Sequence, residues 1–235
     1  MPTTAARQLQ LVSPREPINP NPGPGPEPAP WPATPRPGPY ARLCKPVADR
    51  LGGAVLTVLS APVLAVACLA VRVTLGPGVL LRQPRVGKDG TVFPMYKIRT
   101  MKPDRRLNQV PFEGPERRQS HKRDDDPRHT PVGRLLRKYS IDELPQFWNV
   151  LRGDMSLVGP RPELVSVVDR YDLWDHPRHR VKPGLTGPWQ VSAYRSVPLH
   201  ENMHLDIDYV REQSLRGDVA VLRATVVALT RALGS

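Results

Sequence analysis

Two neighbouring carboxylates, Asp142 and Glu143, stand just ahead of the apolar segment Leu144-Pro145-Gln146-Phe147-Trp148-Asn149-Val150-Leu151. A carboxylate at the start of a helix lies where free backbone N–H groups and the helix dipole attract phosphate. From there it can attack phosphorus and be carried as an acyl phosphate. Adjacent residues of a helix point in different directions, so the two carboxylates need not share a role. The same residues also have a purely structural reading. Ser140 and Glu143 have the spacing of a capping box, and Asp142 favours the positive end of the dipole.

Cations suited to phosphate lie elsewhere in the chain. Arg161 is set between prolines in Gly159-Pro160-Arg161-Pro162. Proline fixes its own backbone and restrains the residue before it, so Arg161 is held ready for a bidentate phosphate contact. Lys97 and Arg99, in Lys97-Ile98-Arg99-Thr100-Met101, alternate at a strand end and are expected on one face. Lys182-Pro183-Gly184-Leu185-Thr186-Gly187 reads as a rigid turn-rich loop, followed by a short strand Trp189-Gln190-Val191. Each segment taken alone reads equally well as a solvated loop or edge. No zinc, P-loop or Rossmann spacing is present. Cys44 and Cys68 lack metal or CxxC spacing and read as free thiols.

The elements that must position these groups follow from pattern. Proline dominates residues 1–40, which are expected to form a disordered extended tail. Leu51–Val71 carries no charge and is long enough, as one helix, to cross a hydrocarbon core of about 30 Å. Pro62 interrupts it midway. Its flanks are basic on both sides, with Arg42, Lys45 and Arg50 before and Arg72, Arg82 and Arg85 after. Positive charge marks cytoplasmic flanks, so a helix that enters, breaks near Ser60-Ala61-Pro62 and returns is as consistent as a spanning one. In the break, Ser60 is available to satisfy a freed carbonyl.

Beyond Arg82 the chain is soluble in character. A strand is expected at Val92–Ile98, a charged surface loop at 102–129, and a helix opened by Thr130-Pro131 and running over 132–138. Further helices are expected from Leu144 to Leu151, from Leu164 to Tyr171 and, amphipathic, from Asp218 to Leu233. The formal charge of +12 implies anionic partners: nucleic acid, acidic lipid or phosphorylated substrates.

In order along the chain, Lys97–Met101, Ser140–Gln146, Gly153–Pro162 and Lys182–Gly187 resemble the bacterial sugar transferases, the monotopic polyprenyl-phosphate phosphoglycosyl transferases. The likeness covers roughly residues 45–233. It implies an α+β fold in three parts: a Pro-rich tail at 1–40, a membrane-inserted re-entrant (helix-break-helix) segment at 41–80, and a mostly helical cytoplasmic catalytic domain with short strands at 81–235. It implies transfer of a sugar phosphate from a nucleoside-diphosphate sugar to polyprenyl phosphate, at the cytoplasmic face of the bacterial inner membrane. Asp142 is the implied covalent nucleophile. Mg²⁺ and the fixed cations Lys97, Arg99, Arg137 and Arg161 are candidates to offset phosphate charge, with Asp142 and Glu143 as metal ligands; Glu143, the second catalytic candidate, is usually cast as a base in the family and is read here as a metal ligand or orienting group. Gln190 joins the substrate-binding candidates. Anionic membrane lipids are expected partners. A competing reading from a different class is a membrane-tethered basic nucleic-acid-binding module, for which no recognition motif is found. Ala193, where relatives often carry Gly, departs from the family pattern.

Overall fold

The computed structural model describes residues 37–102, 128–192 and 203–233. Residues 1–36 of the Pro-rich tail, nearly all of the charged loop and Ala193 lie outside the described residues, and Tyr40, expected in the tail, is already helical.

A π-helical turn, Tyr40–Cys44, leads into α1, Lys45–Leu75. Together they form one helix of 36 residues, long and apolar enough to cross a membrane. The helix is continuous through Pro62, so no helix end separates two halves. Pro62 leaves the Val58 carbonyl without its usual donor. The Ser60 hydroxyl donates to Thr57 O instead (3.2 Å), and Thr57 Oγ1 donates to Gly53 O (2.7 Å). The expected partner for the freed carbonyl is therefore spent one residue earlier.

One face of α1 packs on the body along the whole helix. Near its start, Asp49 Oδ1 accepts from Leu157 N (3.0 Å). Gly53 lies so close to the Leu151 backbone that a β-carbon would sit 2.8 Å from Leu151 N. Near its end, Ala67 and Val71 share a core with Ile98 and Leu136. The opposite face exposes Val47, Leu51, Val55, Val58, Leu59, Val66, Leu69 and Val73.

Strands β1 (Leu80–Val86) and β2 (Val92–Ile98) form an antiparallel hairpin, with Leu80 opposite Ile98. Pro84 faces Pro94, and β2 is an edge strand, the position in a sheet that tolerates proline. Helix α2 (Pro131–Lys138) starts at Thr130, whose hydroxyl accepts from Gly133 N as expected of an N-cap. Gly133 permits close approach to the chain after β2: a β-carbon there would overlap the Thr100 carbonyl. The next turn is a 3₁₀ turn, Ile141–Glu143, followed by α3, Gln146–Arg152. The expected capping box does not form. Ser140 is left-handed (φ 54°) and its side chain caps nothing.

The remainder is β3 (Ser156–Val158), β4 (Glu163–Leu164), α4 (Val165–Arg170), a 3₁₀ turn at Pro177–Arg180, β5 (Gly184–Thr186), α5 (Pro188–Val191), α6 (His204–Arg211) and α7 (Leu215–Leu233). Strand β4 pairs antiparallel with β1, and β3 pairs parallel with β5. The expected strand at Trp189-Gln190-Val191 is the helical turn α5 instead. Pro188 follows Gly187 at the first helical position, where its fixed φ favours a helix. Both cysteines are free thiols.

Candidate functional site

Asn149 ties α3 to β2. Fully buried, it donates from Nδ2 to Pro94 O (2.8 Å) and accepts at Oδ1 from Tyr96 N (3.0 Å). The side-chain amide thus stands in for a neighbouring strand on the free edge of β2. The next residue, Lys97, is delivered to the 3₁₀ turn that carries the carboxylates. Its Nζ lies 2.9 Å from Asp142 Oδ2 and 3.1 Å from Glu143 Oε1.

The two carboxylates differ. Asp142 has a side chain only 3% exposed, against 31% for Glu143. Lys97 donates a hydrogen bond to Glu143, whereas its contact with Asp142 is an ion pair without hydrogen-bond alignment. Burial raises the Asp142 carboxyl, outweighing the nearby ammonium, and the charge of Glu143 adds to the rise. Burial also works to raise Glu143, but the Lys97 ammonium and the charges of Arg161 and Arg85 outweigh it and hold this carboxyl low. Lys97 is raised: burial opposes its charge, and the two carboxylates more than compensate. The result is a buried carboxylate with a raised pKa, ion-paired to Lys97, beside a partner held ionised.

Arg161 is close enough for its charge to act on both Glu143 and Lys97. The loop that carries it is clamped by two buried arginines that the sequence reading does not place in the site, Arg85 being read there only as a basic flank of the apolar segment. Arg85 donates to Pro162 O (2.9 Å), and Arg178 donates to Arg161 O (2.7 Å). Arg178 is itself held by Asp206 (2.8 Å) and faces Glu163 (3.8 Å). Beneath the loop, Gly184 N donates to Pro160 O (2.8 Å) and Gly159 N donates to Thr186 O (2.9 Å). The two glycine- and proline-rich motifs are therefore one backbone-to-backbone unit. A β-carbon on Gly184 would overlap Gly159 N.

The other expected site residues are placed differently. Arg99 does not join Lys97: its guanidinium donates to Leu75 O (2.6 Å) and Gly76 O (3.0 Å), capping the end of α1. Arg137 contacts the His129 ring (3.1 Å). Gln190 lies on α5 beside Gly187, with both amide atoms buried and without a hydrogen-bond partner among the described residues.

Next to the carboxylates is an apolar groove of about 500 Å³ between α1 and α2, lined by Pro62, Val66, Ala70, Val132, Leu135 and Ile141. Its last wall residue, Ile141, precedes Asp142. Among the described residues no cluster of three or more metal-ligating side chains occurs.

Residues 40–232 match the bacterial sugar transferase family. The chain belongs to that family. It is 40% identical over 203 residues to a UDP-glucose:undecaprenyl-phosphate glucose-1-phosphate transferase of Caulobacter vibrioides, covering 83% of this chain and 73% of that protein. It is 36% identical over 205 residues to the exopolysaccharide production protein ExoY of Rhizobium meliloti, covering 84% and 90%. It is 37% identical over 202 residues to an undecaprenyl-phosphate galactose phosphotransferase of Salmonella typhimurium, covering 83% of this chain but 42% of that protein. The chain likewise spans only 42% and 36% of two further curated relatives it matches.

Proposed function

We propose that this chain moves a sugar 1-phosphate from a nucleoside-diphosphate sugar, a UDP-sugar by its relatives' names, to polyprenyl phosphate, beginning assembly of a surface glycan such as an exopolysaccharide. The observation that carries the reading is the buried Asp142, ion-paired to Lys97 at 2.9 Å, with Glu143 and Arg161 beside it.

The reaction runs in two displacements. An oxygen of Asp142 attacks the β-phosphorus, the bond to the bridging oxygen breaks, and nucleoside monophosphate leaves. An oxygen of polyprenyl phosphate then attacks the same phosphorus. The acyl phosphate bond breaks, Asp142 returns as a carboxylate, and the sugar sits on a polyprenyl diphosphate. Splitting one transfer into two easier steps is the gain of covalent catalysis. Lys97 and Arg161 offset the phosphate charge that builds beside two carboxylates. Arg85 and Arg178 position Arg161 through its loop. Gln190 has two free polar atoms to offer a substrate.

Mg²⁺ commonly binds through one or two carboxylates, with substrate phosphates completing its shell. Glu143 and the Asp142 oxygen that lacks a hydrogen bond fit such a set, and Glu143 is the better ligand because it is firmly ionised and more exposed. The ion would supply phosphate charge neutralisation there. Deprotonation of the acceptor gains little, since its phosphate is already largely ionised at neutral pH.

Membrane placement follows the same reading. Both ends of α1 pack on one body, which favours a helix inserted from the cytoplasmic side and bent near Pro62 over one that spans. The apolar groove then takes the first isoprene units of the acceptor and leads its phosphate to Asp142. The comparisons lend no support to the nucleic-acid-binding alternative.

The test is Asp142→Asn, whose amide cannot form the acyl phosphate. Wild type given nucleotide-sugar without acceptor should gain one sugar-phosphate mass and release a matching burst of nucleoside monophosphate. Asp142→Asn should fold and do neither. Turnover like wild type in that variant would sink the covalent mechanism.

A further inference from the structure

The first turns of α1 border a second cavity, of about 370 Å³, whose wall includes Arg42, Lys45, Asp49, Lys88, Arg180 and Lys182. These cations gather around Asp49, and Lys88 has Asp89 at 3.8 Å. Lys45 is already committed, held by Asp218 at 2.6 Å and near Asp49 at 3.8 Å. Asp49 is spent on the Leu157 amide. Lys182, by contrast, makes no hydrogen bond or ion pair among the described residues.

Lys182 is also crowded by like charge. Its ammonium and the Arg50 guanidinium converge over Gly153, where a β-carbon would lie 3.2 Å from Lys182 Nζ and 3.3 Å from Arg50 Nη2. Burial depresses the Lys182 ammonium, and the charges of Arg50 and Lys88 depress it further against the pull of Asp49 and Asp154. Arg42 and Lys182, which make no ion pair among the described residues, leave positive charge here that favours a bound anion.

The cavity is separate from the catalytic carboxylates. Lys88 and Lys97 sit at opposite ends of the β1–β2 hairpin, about 15–20 Å apart at strand rise. Its height is set by α1. Arg42 and Lys45 are on the turns where the exposed apolar face begins with Leu43, Val47 and Leu51. The Lys45–Asp218 ion pair joins this end to the start of α7, which also exposes Leu215, Val219 and Leu222. Headgroup phosphates lie at the level where such apolar faces enter a bilayer, and basic side chains there attract anionic lipid.

We propose that this cavity binds a phosphate group at the membrane surface, that of an anionic phospholipid, independently of the catalytic site. The proposal rests on the membrane placement above but not on transfer. It is read by binding, so its failure is distinct from failure of the catalytic reading.

The experiment follows thermal unfolding of the full chain in neutral detergent, titrated separately with short-chain phosphatidylglycerol, short-chain phosphatidylcholine and inorganic phosphate. Phosphatidylglycerol should raise the Tm saturably. Lys182→Ala and the exposed Arg42→Ala should each raise the half-saturating concentration about fivefold, the worth of one partly exposed charge contact. Using two variants from different elements guards against one that misfolds. Asp142→Asn should respond like wild type. Should inorganic phosphate match phosphatidylglycerol and fail in the same two variants, the phosphate site stands and its lipid source falls. Half-saturation unchanged from wild type in both variants, an equal response to phosphatidylcholine, or loss of the response in Asp142→Asn overturns the proposal.

Discussion

Lys97 is the group on which the two carboxylates depend, and Lys97→Met tests that dependence while keeping most of its volume. Its Nζ stands 2.9 Å from Asp142 and 3.1 Å from Glu143. A unit pair near 3 Å in an effective dielectric of about 20 attracts by about 5 kcal/mol before desolvation is counted. Removing one partner of a buried pair costs about 3–5 kcal/mol. The Lys97 side chain is 28% exposed, so the lower end applies, about 3 kcal/mol. Placed on the transition state, that is roughly a hundredfold in turnover. The direction with pH is also fixed. Asp142 is already raised by burial, and Lys97 is what pulls it down. Losing the ammonium raises Asp142 further and removes the main influence holding Glu143 low. The acid limb of turnover should therefore move to higher pH. A carboxyl with a raised folded pKa contributes stability at low pH and loses it as pH rises. The thermal stability deficit of Lys97→Met should accordingly grow from acid to neutral pH. Release of nucleoside monophosphate across about pH 5–9, with unfolding in the same buffers, measures both. An unmoved acid limb with near-normal turnover would refute the electrostatic role given to Lys97.

Arg161→Lys should lose nearly as much transfer as Arg161→Ala, because a clamped loop between two prolines suits a planar fork rather than a mobile point charge; wild-type kcat/KM in the Lys variant would show that charge alone matters. Labelling of the native Cys44 and of a cysteine replacing Asp89, in intact cells and after opening them, should place both on the cytoplasmic side. Pro62→Leu should move a fraction of molecules to a crossing topology with matching loss of cellular activity, and opposite faces in the unmodified chain would mean that α1 spans. Burial, with Arg178 beside them, depresses His176 and His179 to about 4 from 6.5. Their depressed values stabilise the fold fully above about pH 6.5, and that stability should drain as pH falls toward 4, read as a falling Tm.

Local chemistry was readable wherever a local rule decided the outcome. Thr130-Pro131 opens α2 because the cap and the proline act within one turn. Strand β2 and the α7 pattern were likewise visible in short-range alternation and helical spacing. The misses have tertiary causes. A capping box needs the Glu143 side chain to reach back to Ser140, but that side chain is bonded to Lys97, from a strand 46 residues earlier. Lys97 and Arg99 were expected on one face because strand residues alternate, yet β2 ends at Ile98 and the rule ends with it. Arg85 and Arg178 carried no local signal, since each acts on a carbonyl of a remote loop.

The placement of Arg99 gives those two strand-end residues a common purpose. Arg99 grips the carbonyls at the end of α1, Leu75 and Gly76. Two residues earlier, Lys97 grips Asp142 and Glu143. Two steps of extended chain cover about 7 Å. The end of the apolar helix and the Asp142 carboxylate are thus fixed to one short piece of backbone, itself held by Asn149. A lipid-borne phosphate rides at the depth where hydrocarbon ends, so a transferase acting on it must hold its nucleophile at that depth. On the proposed function, this one strand end would set the depth of Asp142 relative to α1, with Arg99 spent on the α1 carbonyls rather than on substrate.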